Sequence, residues 1–153
     1  MQASISSFSP TAELPTIFKT YTVIPEAEQS WSITLRKDDG NTMNANILET
    51  LMAIGSLAEN WDEEGAKPPA ETSVQMAKGI IYFMSAIGQE IYNIAPGPKG
   101  EILIDFRNNS KSLELLIYSD KMVYVKFDDN GTPFQDKFTP DLLHTHLIAW
   151  LNS

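Results

Sequence analysis

Ser112-Leu113-Glu114-Leu115-Leu116-Ile117-Tyr118 places Leu113, Leu115 and Ile117 at alternate positions, the period of a strand with one face in a core. Its neighbours repeat the pattern. Glu101-Ile102-Leu103-Ile104-Asp105-Phe106 puts Ile102, Ile104 and Phe106 on one face, and Lys121-Met122-Val123-Tyr124-Val125-Lys126-Phe127 puts Val123, Val125 and Phe127 on one face. Asn108-Asn109-Ser110 and Ser119-Asp120 are short enough for tight hairpins. Three consecutive antiparallel strands over 100–128 follow, sequential neighbours being the simplest topology.

Upstream the period changes from two to 3.6. Ile47, Leu51, Ile54 and Ala58 predict a helix from about Asn44 to Ala58, with Asn46 and Glu49 in capping-box positions. Thr72 and Gln75 offer a second such box. Behind it Val74, Ala77, Ile81, Met84, Gly88 and Ile91 form a stripe that predicts a mostly buried helix over about 72–92. Ala95-Pro96-Gly97-Pro98-Lys99-Gly100 reads as the turn that ends it. Downstream, Thr139 as N-cap, Pro140 at the first helical position and Asp141 in the first turn start a closing helix.

The N-terminal end is strand-like again. Residues 1–15 are polar and Ser-rich with Pro10 and Pro15, and are expected to be a poorly ordered segment. The β-branched and aromatic run 16–24 and the alternating Trp31-Ser32-Ile33-Thr34-Leu35 predict two strands, with turns over 25–30 and 36–41. These strands either extend the main sheet or form a separate small layer. The expected fold class is α+β: an antiparallel sheet packed against two to three helices, in a single domain over 16–153.

Composition narrows the function classes. The 153 residues are 42% hydrophobic and contain no cysteine, so a globular core is affordable while disulfides, thiol catalysis and thiolate metal sites are excluded. No basic leader and no long apolar run is seen at the start, so a cytoplasmic location is expected, without a membrane partner. The net charge is −9, and residues 1–76 carry −7 of it. Without a basic run there is no footprint for a phosphate backbone, and no nucleic-acid partner is expected.

Between the two helices lies Trp61-Asp62-Glu63-Glu64-Gly65-Ala66, followed by Lys67-Pro68-Pro69. Gly65 is expected to take a positive φ, and Asp62 to accept backbone N–H bonds in the turn. Trp61 is expected to fill space between the helices and be largely buried. As a structural motif the stretch rests on Trp61, Asp62, Gly65 and Ala66. As an interaction surface it rests on Trp61, Asp62, Glu63 and Glu64, since tryptophan beside charge is a common anchor of protein contacts. Glu59, Asp62, Glu63 and Glu64 do not follow the alternate spacing of a calcium loop, so no metal and no cofactor are expected there. His144 and His146 stand about 200° apart on a helix, cannot share an ion from it, and read as one partly buried and one exposed residue. No nucleophile motif or phosphate-binding glycine loop is present, and no catalytic residue is assigned.

Residues 57–69 resemble a signature of small uncharacterised bacterial and phage-associated proteins, Trp-Asp-x-x-Gly-Ala preceded by leucine and followed by proline. The similarity extends over about 47–127, through the second helix, the Pro/Gly turn and the strand opening Gly100-Glu101-Ile102-Leu103-Ile104. It departs at Asp105-Phe106, where such proteins carry an acidic residue followed by tryptophan. The resemblance implies fold and lineage and brings no catalytic residue with it.

These readings together point to a non-enzymatic protein-interaction module, adaptor-, inhibitor- or antitoxin-like, whose acidic surface meets a protein partner of basic character. The alternative is a small-ligand or carboxylate-metal enzyme using the 59–64 acids. Neither reading sets an oligomeric state.

Overall fold

Five short apolar-alternating segments pair edge to edge because each leaves half its side chains to bury and a full row of backbone groups to bond. In the computed structural model they are β4 (Asn93–Pro96), β5 (Ile102–Asn108), β6 (Lys111–Ile117), β7 (Met122–Phe127) and β8 (Phe134–Lys137), an antiparallel meander in sequence order. The structure describes the strands β1 (Ala3–Ile5), β2 (Phe18–Val23) and β3 (Trp31–Leu35), and residues 43–153. β1, β2 and β3 form a second, three-stranded antiparallel sheet, so the N-terminal strands make a separate layer, with β3 lying along the second helix. The poorly ordered segment expected over 1–15 falls outside the described residues except for Ala3–Ile5. The turns expected at 25–30 and 36–41 fall outside them entirely.

The α+β class is as expected, with two strands more in the main sheet. The hairpin between β5 and β6 closes through Asn109, whose φ of 55° supplies the left-handed residue such a turn requires. Register then aligns Ile102 with Ile117, Ile104 with Leu115 and Phe106 with Leu113. All six are buried, and Tyr124 opposite Leu115 extends their face into β7. Val123, Val125 and Phe127, expected to form the strand's apolar face, point the other way.

Three helices cover the Ile104–Leu115 face. Helix α1 (Ala45–Ile54) contributes Leu51 and Ile54. Helix α2 (Glu71–Ala86) contributes Ile80, Ile81, Phe83 and Met84. The C-terminal helix α3 starts at Pro140–Leu142, widens to a π-helical stretch at Leu143–Ile148 and closes at Ala149–Leu151. Its Leu143, Leu147, Ile148 and Leu151 complete the core. Among the described residues no helix is long and apolar enough to cross a membrane.

The helix ends differ from the sequence reading. Neither capping box forms. α1 begins two residues earlier than Asn46 would allow, because Asn44, at φ 64°, ties it to the far end of α2: its amide donates to Gln89 O at 3.0 Å and its Oδ1 accepts from Ile91 N at 2.9 Å. α2 starts at Glu71 behind Ala70, which has no capping side chain. It stops at Ala86 rather than near 92 because Gly88, at φ 77°, turns the chain into β4, yet Ile91 still reaches the core from the loop.

Candidate functional site

The chain between α1 and α2 is a loop folded by its own polar groups. Three of its residues sit at positive φ: Asn60 at 61°, Glu63 at 66° and Gly65 at 93°. Nothing lies within 4 Å of the position a Gly65 Cβ would take, so glycine is favoured there by the backbone angle and not by space. Asn60 N donates to Ala66 O at 2.8 Å, and Gly65 N to Asn60 Oδ1 at 2.6 Å. Asp62 Oδ1 accepts from Glu64 N and from Ala66 N, each at 2.9 Å. Those two donors, Ala66 first, hold the Asp62 carboxyl below the usual aspartate range.

The loop is also stitched to the sheet. Lys67 N donates to Pro98 O at 3.0 Å, and Lys67 pairs with Lys99 in a parallel bridge. Gly100, at φ 84°, lets the turn before β5 close on Pro68, whose carbonyl would lie 3.0 Å from an added Cβ. Ala66 is buried beneath.

Trp61 corrects the sequence reading. It is half-buried and outside the core cluster, and its Nε1 donates to Lys67 O at 3.0 Å. It braces the loop from outside instead of filling space between the helices, because the short turn brings Lys67 back under the indole. Asp62 is also half-buried, while Glu59, Glu63 and Glu64 are exposed. The loop therefore brings Trp61, Asp62, Glu63 and Glu64 onto one hydrogen-bonded turn, with the Asp62 carboxylate already engaged.

A second group of acids lies on the sheet face turned away from the helices. Asp105 on β5 stands directly opposite Glu114 on β6. Asp105 is 4% exposed. Its Oδ2 accepts from Arg107 Nε at 3.1 Å and Nη2 at 3.0 Å, and the guanidinium lies 4.0 Å from the centroid of the Tyr92 ring. Asp105 Oδ1 is buried and has no hydrogen-bond partner among the described residues. Burial pushes the Asp105 carboxyl above its usual range, with Arg107 opposing. Burial raises Glu114 as well, with repulsion from Asp105 adding to it and Arg107 opposing. The signal was present in the sequence: a tight turn at 109–110 forces positions 105 and 114 opposite each other, and both alternate with apolar residues that face the core.

The histidines separate. His144 is half-buried, edge-on to Phe83 with centroids 6.1 Å apart, and His146 is exposed with Nδ1 2.8 Å from Thr145 Oγ1. Trp150 is half-buried under two lysines, with Lys111 Nζ 5.2 Å and Lys126 Nζ 5.0 Å from its ring centroid. Among the described residues no three His, Asp or Glu side chains converge where a metal ion would sit.

The chain matches no protein-family model, no curated protein and no solved structure.

Proposed function

We propose that the chain is a non-catalytic protein-interaction module, adaptor-, inhibitor- or antitoxin-like, that presents the 60–66 loop to a basic partner. One observation carries the reading: the loop is held by six hydrogen bonds among residues 60–67 and by Lys67 N to Pro98 O, and leaves Glu63 and Glu64 exposed at the tip. A preformed surface loses little conformational entropy on binding, so its charges act at full effect. Acidic groups at such a rim govern the association rate and partner choice more than raw affinity.

The test is capture of partners from the source cells with the tagged chain, compared with a Glu63→Lys/Glu64→Lys variant. The reading expects a specific partner whose association slows with added salt and is lost in the variant. A partner retained unchanged by the variant would take the interaction away from this loop.

A further inference from the structure

β8 is the last strand of the main sheet and is exposed at every residue, Phe134 at 52%. Among the described residues nothing pairs with its outer edge. Phe138 N donates to Met122 O at 2.9 Å, in step with the register that sets Lys137 opposite Val123 and Gln135 opposite Val125. Backbone groups alternate along an antiparallel strand, so those of Phe138, Asp136 and Phe134 turn toward β7. Those of Lys137, Gln135 and Pro133 turn to the outer edge. Such an edge, beside an exposed aromatic ring, is a template for another strand.

The donors of that edge are mostly withdrawn. Pro133 has no N–H. Lys137 N already donates to Asp136 Oδ1 at 2.7 Å. Of the three outward positions, Gln135 alone keeps an N–H for a neighbour. A second copy of β8 is the strand to exclude, because a two-fold axis would make this edge its own complement. Centred on Gln135, that pairing sets Lys137 of each copy opposite position 133 of the other and calls on the N–H groups of 133, 135 and 137. Centred on Asp136, it sets two carboxylates face to face, which is unfavourable. Centred on Phe134, it runs β8 against the turn at Gly131, whose φ is 73°.

We infer that Pro133 and Asp136 close the β8 edge to strand addition and so keep two copies of the chain from pairing there. The inference does not depend on the 60–66 loop. Asp136 acts through its acceptor oxygen. The net charge of −9 also holds copies apart, but salt screens that repulsion and leaves a local hydrogen bond in place.

The test compares the full chain with Pro133→Ala/Asp136→Ala, which restores one donor and frees another at two exposed positions. Asp136→Asn is the second variant, because it removes the charge and keeps an oxygen acceptor. Each is sedimented over a concentration series at physiological ionic strength and at about 1 M NaCl, with amide exchange followed by NMR. The double alanine variant is expected to self-associate at least about tenfold more tightly than the natural sequence, with new protection at positions 133, 135 and 137. The natural sequence and Asp136→Asn are expected to show no such protection, even in high salt. Unchanged association of the double variant overturns the inference, as does tighter association that leaves β8 unprotected. So does pairing of the natural sequence through Gln135 and Lys137. Asp136→Asn associating as tightly as the double variant overturns it as well, because charge and not the bonded oxygen would then be the guard.

Discussion

Asp62 and Asp105 are both aspartates in tight hydrogen-bonded settings, and the fold treats them in opposite ways. Asp62 lies on a loop, half-exposed, and one of its oxygens receives two backbone N–H groups from residues two and four positions later. Asp105 lies within a sheet, almost wholly covered, and among the described residues receives its donors from one side chain on one oxygen. The first carboxyl is held low and the second is pushed up. The number and placement of donors, weighed against lost water, decide the state of each acid. A loop can bend its own backbone around a carboxylate. A strand cannot, because its N–H groups are committed to the ladder, so an acid on a strand depends on side chains or on a partner.

The two faces of the main sheet are buried to different degrees, and this is where the largest effect is expected. Leu115 and Leu116 are neighbours on β6, one fully buried and one half-buried. Leu115→Ala should cost about 2–5 kcal/mol in urea unfolding, and Leu116→Ala less than about 1 kcal/mol. Equal losses would mean that Leu116 is packed as tightly as Leu115.

Arg107→Ala comes next. It leaves Asp105 buried without a donor, and the loss at neutral pH is expected at about 1–2 kcal/mol, moderated by the exposure of the guanidinium. Adding Asp105→Asn should recover part of it. If Arg107→Ala is harmless at every pH, Asp105 is not short of donors.

The loop gives smaller effects. Gly65→Ala should cost about 1 kcal/mol through its positive φ alone. Asp62→Ala should accelerate amide exchange at Glu64 and Ala66 and leave β5–β7 protected. Spread of the exchange into the sheet would show that the two regions are not independent. Smallest of all, Glu63→Gln/Glu64→Gln should leave the melting temperature unchanged, with or without Mg²⁺ or Ca²⁺. A saturable, ion-specific rise that the variant abolishes would turn the loop into a metal site.

The sequence carried the central strands because their alternation survives burial on one face. It did not carry β4 and β8, both edge strands. β4 is only four residues long and ends on Pro96, and β8 is exposed at every residue, so neither shows a two-residue period. Gly65 and the Asp62 acceptor were readable because they are local. The bond from Asn44 to Ile91 crosses 47 positions, and no local pattern announces it. Trp61 misled for a related reason: a tryptophan between two apolar helices suits a core position, but the turn that follows directs the indole to Lys67 O. The outer sheet acids were visible as strand positions, while the Arg107 side chain folding onto Tyr92 to reach Asp105 was not.

The most direct measurement is a carboxyl NMR titration of Asp62, Asp105 and Glu114 in the intact chain, read beside stability against pH. Asp62 should titrate below the usual aspartate value. Its contribution to stability is then present above the unfolded value and lost as pH falls through the folded one. Asp105 and Glu114 should titrate above their usual values. Their contribution is full below the unfolded values and lost as pH rises through the folded ones, and Glu114→Gln should flatten that decline. Asp105 titrating at or below the usual value would show that Arg107 already supplies all the charge it needs, and would contradict the account of an acid that burial and a shortage of donors push up.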